Sequence, residues 1–493
     1  MMSLAASTFA FCWLRLFVLP HTTLLVWGDQ LEYATKGVRV LGGELPYRDF
    51  FEFLTPGTDL VYALIFRCVG LALWVPNLVM CVLASIATLW MTWCAHRLVR
   101  GWFVVLPAAL NVGFVLYSGA DATHHWFSTV ASMGAVCALF GGNSLRRVAV
   151  AGASCGVAAS FTQTKGGLVT AALIAYFIWI ALQEKDRSGQ WWRRCLVLCA
   201  AALVAFAAIN GPLILAAGWE KWAWDVIVFP VRYASSVSAD NWTGVLPAFY
   251  ANASKLKWVI FPVQFIGVPL TYLWFFLRLR RAKAEPQEPW NQLALVAVVG
   301  VAMLAAVATM PSIKRLSAAS PPAVVLITWL LSRGGKVRTA VLLGAASAAI
   351  AAAQFALIQL QPERIVDLPA GRAAIPPKAN YYELFRWAAE NTKPGQWYYG
   401  LHTLMFPLEL RNPTPIEDLG TDEFSRPKQV AEVVEGLENK KVPMMILLPR
   451  MYILGTLAHK ADHLQPFRDY LYSHYRETET LDGGYEVWER VDK

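Results

Sequence analysis

Long apolar runs recur along the first 360 residues, separated by short polar turns, and beyond them the pattern changes. About eleven runs have the character of membrane-spanning helices: 4–27, 75–96, 102–118, 126–142, 147–162, 166–183, 194–217, 258–277, 290–310, 318–332 and 338–359. No secretory cleavage site follows the first run, so it is expected to stay as an anchor. Arg15, near its middle, is expected to face other helices. The apolar segment 57–73 carries Asp59 and Arg67 and follows a polar loop, so it is expected to lie along the outer surface as an amphipathic helix.

After residue 360 the chain reads as soluble. Helical patterns at 380–392, 427–439 and 464–476 alternate with strand patterns at 396–400, 443–448 and 485–490, and Asp482-Gly483-Gly484 makes a turn before the last strand. The expected fold is mostly α: a polytopic membrane helix bundle over 1–360, with outer-surface amphipathic helices, and a small separate α/β domain over 361–493.

Composition agrees with this reading. Of 493 residues, 56% are hydrophobic and 16% charged, with 21 Trp, 17 Tyr and 25 Phe. Soluble chains carry about 25% charge, so an ordinary cytosolic enzyme, a disordered chain and a disulfide scaffold are excluded. The net charge of +9 does not indicate a nucleic-acid binder, because the tail holds 20 acidic against 16 basic side chains. The positive excess sits between the apolar runs. Arg97 and Arg100, Arg146 and Arg147, Lys185, Arg187, Arg193 and Arg194, then Arg278, Arg280, Arg281 and Lys283, and finally Arg333, Lys336 and Arg338 follow every even-numbered run. The positive-inside bias places those turns in the cytoplasm, with the N-terminus inside and the tail outside, provided 57–73 does not span. All eight cysteines precede residue 200 and match no zinc spacing.

The loops assigned to the outer face hold more charge than topology requires. The first contains Asp29, Glu32 and Tyr33, then Tyr47, Arg48 and Asp49. Asp29 sits where the first run leaves the membrane, and partial desolvation there favours a base; the competing reading is a cap on the following helix. A second turn holds Asp121, His124 and His125, suited to a substrate or a metal, although adjacent histidines point apart on a helix. Lys165, Arg232 beside Tyr233, and the pair Lys314 and Arg315 place cations against the inside bias. An anionic phosphate supplies a reason for them; snorkelling to headgroups is the plainer one. The loop 218–257 adds Trp219, Trp222, Trp224, Phe229, Trp242, Phe249 and Tyr250, an aromatic belt or a lipid-chain groove.

Taken together, the chain resembles the GT-C superfamily of integral-membrane glycosyltransferases, in particular the bacterial protein-mannosyltransferase-like and aminoarabinose-transferase-like groups. The resemblance rests on Asp29-x-x-x-Tyr33, on Gly43-Glu44-Leu45-Pro46-Tyr47-Arg48-Asp49-Phe50 and on Pro56-Gly57, followed by a surface helix. The turn Gln163-Thr164-Lys165, the late turn with Lys314 and Arg315, and Leu410-Arg411-Asn412-Pro413-Thr414 with 429–437 in the tail support it. Two departures stand out: Gln30 where many members have Glu, with Glu32 nearby, and two histidines beside Asp121.

The resemblance implies transfer of a sugar from a polyprenyl-phosphate-linked donor, on the outer face of a bacterial cytoplasmic membrane, with inversion at the anomeric carbon. It implies an envelope acceptor (glycan, lipid or protein), a membrane-lipid environment and no nucleic acid. Asp29 then matches the general base, and Lys165, Arg232, Lys314 and Arg315 match candidates for the lipid phosphate. Glu32, Tyr33, Tyr47, Arg48, Asp49, Asp121, His124, His125 and Tyr233 complete the expected substrate-binding set. No cofactor is expected; the resemblance is compatible with metal-independent chemistry and leaves a divalent metal open. No Gly-rich nucleotide loop appears. The rival classes are a transporter or flippase for a lipid-linked saccharide, expected to show midplane charge and repeated halves, and a non-catalytic scaffold.

Overall fold

The computed structural model describes residues 1–491 except 118, 185–188, 234–256, 281–284, 309–310, 361–363, 377–378, 421–424 and 449–462. Lys185, Arg187, Arg281, Lys283, Trp242, Phe249 and Tyr250 lie outside the described residues. All eleven apolar runs contain helix. Among the described residues, five helices are long and apolar enough to cross a membrane, and the bent pair Ile313–Ala319 and Pro321–Arg333 makes up to six.

The chain divides into two compact units. One comprises Met1–Arg15, Leu78–Pro212 and Ser238–Leu357; the other comprises Leu16–Asn77, Leu213–Val237 and Ile358–Lys493. The tail shares its unit with the first loop.

The first unit is a helix bundle. It takes in most of α1 (Met2–Leu16) and α4 (Trp74–Leu98), then the short α5 (Leu106–Leu110), α6 (His124–Phe140), α7 (Leu145–Phe161), α8 (Gln163–Glu184) and most of α9 (Gln190–Ala217). Gly152 and Gly156, one turn apart, let α7 meet α9 backbone to backbone: a Cβ on Gly156 stands 2.2 Å from the Ala202 carbonyl oxygen. Small residues at that spacing are how apolar helices approach without a hydrophobic driving force. Buried polar side chains bond to one another between helices, Asn111 donating to Thr88 at 2.8 Å and Asn210 to Ser160 at 2.8 Å. Arg15 donates to the carbonyls of Leu116 and Tyr117, so it faces other helices as expected.

The second unit explains why the first apolar run is shorter as a helix than its hydropathy. α1 ends at Leu16, and β1 (Phe17–Val18) and β2 (Thr22–Leu24) follow. Pro20 lacks the N–H a helix needs and disfavours helix in the residue before it. β2 runs parallel to β4 (Gly371–Ile375), which pairs antiparallel with β3 (Arg364–Leu368). The loop and the tail thus share one four-stranded sheet, order β1-β2-β4-β3. Trp27 stacks on Tyr381 at 4.8 Å.

A second sheet has the order β5-β6-β8-β7, made of Tyr399–Gly400, Met444–Leu447, Tyr485–Arg490 and Tyr475–Leu481. Helices Tyr382–Asn391, Pro427–Lys440 and Gln465–His474 alternate with its strands. Val430, Val433, Leu437, Met445, Phe467 and Leu471 fill its core. The turn after Leu481 has φ +92° at Gly483 and +77° at Gly484, values that favour glycine.

α2 (Asp29–Leu41) and α3 (Gly57–Val69) belong to the same unit. Thirteen residues of α3 reach about 20 Å, short of the ~30 Å hydrocarbon core. Gly37 lets the two helices touch, since a Cβ there would meet the Tyr62 Cβ at 2.6 Å.

Candidate functional site

Two clusters of charge form, one in each unit. In the second unit α2 begins after Gly28, whose φ of +120° turns the chain into the helix. Asp29 is the first helical residue. It is exposed rather than desolvated, it caps nothing, and it makes no hydrogen bond or ion pair with a described residue. Neither expected environment of this carboxylate is found. It stands open at the helix N-terminus.

Gln30 is buried and donates to Asn77 at 2.8 Å, while Asn77 donates to the carbonyls of Leu16 and Leu24. An amide suits this site because its N–H meets the amide oxygen of Asn77.

One turn on, Glu32 pairs with Lys36 at 2.7 Å, and Lys36 with Glu52 at 2.6 Å. Lys36 and Glu52 are enclosed. Burial opposes charge on Lys36, but Glu32 and Glu52 outweigh it and hold the ammonium well above its ordinary range. Burial likewise opposes charge on Glu32, and Lys36 with His402 overcomes it, so its carboxyl titrates below the usual range. Burial pushes the Glu52 carboxyl up against the pull of Lys36.

Asp59, on α3, is 1% exposed, and neither of its carboxyl oxygens has a hydrogen-bond partner among the described residues. Burial, reinforced by Glu52, drives it well above the carboxylate range. Tyr33 is buried. Tyr47 has φ +68°, unusual for a side chain of its size, and its hydroxyl donates to the Leu54 carbonyl at 2.8 Å. Arg48 and Asp49 pair with each other at 2.7 Å, and Asp49 accepts the Leu45 N–H, so together they close a turn. Arg232 is exposed, and Tyr233 lies under the Arg426 guanidinium at 3.7 Å.

Asp225 is buried in a π-helical turn, Trp224–Val228, with one carboxyl oxygen bonded to none of the described residues. Burial pushes it from 3.8 up to about 7. Between those values the folded chain keeps a proton that the unfolded chain has released, so stability falls as pH rises through that window and levels off above it. Asp225→Asn is expected to flatten that part of the profile, read as thermal midpoints of the full chain from pH ~4 to ~8. An unchanged slope would mean that Asp225 ionises freely.

The tail brings a histidine to α2. His402 Nε2 lies 4.0 Å from Glu32 and its Nδ1 lies 3.9 Å from Asp418. The neighbouring Glu417 is fixed by Arg39 at 2.6 Å, and Arg39 also donates to the Thr414 carbonyl. Asn412 and Thr414 tie the same loop to itself.

In the first unit Asp121, His124, His125, Lys165, Lys314 and Arg315 come together. Asp121 accepts from Lys314 at 3.1 Å. The rings of His124 and His125 lie 3.8 Å apart, and His125 is within electrostatic reach of Lys165, Lys314 and Arg315. Lys165 differs from expectation. It lies inside α8 rather than at a turn, is completely buried, and donates to the His125 carbonyl at 2.9 Å and to Thr129 at 3.0 Å. It fixes the start of α6, and neither partner is a carboxylate. Lys314 is accessible, its side chain 44% exposed. Five cationic or protonatable groups around one acid favour an anion.

Among the described residues, no group of three or more His, Cys, Asp or Glu is arranged to hold a metal ion. The sequence reading missed Lys36, Glu52, Asp225, His402 and Asp418 as site residues. Asp59 carried the one available signal, a carboxylate in an apolar helix.

No family model and no curated protein matches the sequence. Solved structures do match. ArnT from Cupriavidus metallidurans, bound to undecaprenyl phosphate, aligns over 100% of this chain and 98% of its own, at 14% identity and a TM-score of 0.60. The Archaeoglobus fulgidus oligosaccharyltransferase tethered with an acceptor peptide aligns over 99% of this chain and 74% of its own, at 12% identity and a TM-score of 0.54. AglB of the same organism, in complex with an inhibitory peptide and a dolichol-phosphate, aligns over 92% and 70%, at 10% identity and a TM-score of 0.52. The chain shares the fold of ArnT and of these oligosaccharyltransferases.

Proposed function

We propose that this chain is a glycosyltransferase that moves a hexose or pentose from a polyprenyl-phosphate-linked donor to an envelope acceptor. The acceptor is a lipid, a polysaccharide or a protein, and the reaction takes place on the outer face of a bacterial inner membrane. The observation that carries this reading is the full-length likeness to a structure that holds undecaprenyl phosphate. In the arrangement proposed, the N-terminus is cytoplasmic and the tail lies outside.

The chemistry assigns each cluster one task. The acceptor hydroxyl attacks the anomeric carbon, and its proton goes to Asp29. The bond from that carbon to the phosphate oxygen breaks, and its electron pair leaves on the phosphate. An exposed carboxylate with no bond to a described residue is available to an incoming hydroxyl. Lys314 and Arg315, in the first unit, are candidates to bind the lipid phosphate as an anion. Lys165 holds the backbone of α6 in place beneath His125. Arg232 and Tyr233 remain candidates for the lipid's outer contacts.

Binding tests the phosphate assignment. Undecaprenyl phosphate is expected to bind the full chain in nanodiscs, and Lys314→Ala with Arg315→Ala to weaken it by about 10-fold or more, since a hydrogen bond to a charged group contributes about 1.5–3 kcal/mol. Equal affinity in the double variant would move the phosphate elsewhere.

A further inference from the structure

We propose that Asp121 is the residue that lets the product polyprenyl phosphate leave, by repelling it more strongly than the donor. The inference rests on Lys314 holding the lipid phosphate. Transfer converts a phosphodiester, with one negative charge, into a phosphomonoester, which carries about 1.5 to 2 at neutral pH. Cations that hold the donor therefore hold the product more tightly, and a site of cations alone is a product trap. Lys165, Lys314 and Arg315 all lie within electrostatic reach of His125. Asp121 sets a carboxylate among them.

Asp121 accepts from the Lys314 ammonium at 3.1 Å, and the two side chains differ in access, 8% exposed for Asp121 and 44% for Lys314. The carboxylate backs the ammonium and leaves its open side to a ligand. An ammonium has three donors in tetrahedral directions, so a phosphate oxygen on a second one lies roughly 5 Å from the Asp121 oxygen. At that separation like charges repel, and the repulsion grows with the charge on the phosphate, so the product feels it up to about twice as strongly as the donor. The arrangement is held from both sides. Arg15 donates to the carbonyls of Leu116 and Tyr117, just before the acid, and Trp126 donates to the Gly119 carbonyl. A Cβ on Gly119 would stand 3.0 Å from the Ser317 Cβ and 3.4 Å from the Lys314 carbonyl oxygen, so glycine lets the turn of Asp121 meet the helix of Lys314.

The test measures binding to the purified full chain in nanodiscs with two probes, undecaprenyl phosphate and its methyl ester, which share the lipid and differ by the second charge. Asp121→Asn is expected to tighten the methyl ester about 3-fold and undecaprenyl phosphate about 10-fold, because a repulsion that gives a factor of about three for one charge gives its square for two. Asp121→Ser, which also removes the charge, is expected to do the same and guards against an effect of the amide itself. Asp121→Glu, which keeps the charge, is expected to keep the wild-type ratio of the two affinities. An equal change for both probes, no change, or a loss of affinity in the uncharged variants overturns the role of Asp121 alone. Unchanged affinity for undecaprenyl phosphate when Lys314→Ala and Arg315→Ala are combined overturns the phosphate assignment, and the role of Asp121 with it.

Discussion

Asp29→Asn is expected to lower turnover by about 10²–10⁴-fold while donor binding is retained, the range a positioned general base contributes. The amide keeps the size of the side chain and removes its capacity to take a proton. Asp29 is bonded to no described residue and is exposed, so the substitution disturbs no packing and leaves the fold intact. The loss should therefore fall on the chemical step alone. Turnover with labelled donor, beside binding of undecaprenyl phosphate to the same protein, separates the two effects. A variant that transfers at the wild-type rate would assign the proton to another group.

The largest effect on stability is expected from Lys36→Met. Among the described residues, Lys36 is the one cation bonded to Glu52, a carboxylate that is 1% exposed, and Asp59 lies close by with neither carboxyl oxygen bonded. Removing one partner of a buried ion pair costs about 3–5 kcal/mol, because the remaining charge is left in a poor solvent. Adding Glu52→Gln to Lys36→Met should recover part of the loss, since the orphaned charge is then gone. Thermal unfolding of the full chain with the single and double variants reads both results. Equal midpoints for wild type and Lys36→Met would show that water reaches Glu52. The wild-type pair should persist into alkaline solution. Lys36 is held above its ordinary 10.5, so its contribution is full below that value and disappears only as pH rises through the folded one.

Continuous apolarity and helical period are local properties, and so the eleven runs and the three tail helices were legible in the sequence. The first run misled because hydropathy does not register that Pro20 stops the helix and that Thr22–Leu24 joins a sheet. The partner of Thr23 in that sheet is Ala373, 350 residues away, and strands of three and five residues carry too little pattern to predict their pairing. The unity of the first loop with the tail was hidden for the same reason. Arg39 and Glu417 are both visible as charges, but only the fold makes them a buried pair.

The site shows a similar division. Asp29 was legible because it follows an apolar run, and Asp59 because it interrupts one. Lys165 was legible as a cation but not as a buried one, since nothing nearby in sequence announces that α8 begins at Gln163. His402 is a single histidine in a tail with no motif around it. Its meaning comes from Glu32 and Asp418, which reach it from different parts of the chain.

The central claim is transfer from a lipid-linked sugar, and its most direct test is product analysis with the wild-type chain in nanodiscs. A panel of polyprenyl-phosphate sugars labelled in the sugar is supplied with an envelope extract. The account predicts that free polyprenyl phosphate accumulates while label enters an acceptor with inverted anomeric configuration. Binding of the donors with no sugar released from any of them, or movement of the intact lipid-linked sugar across the bilayer, would contradict it.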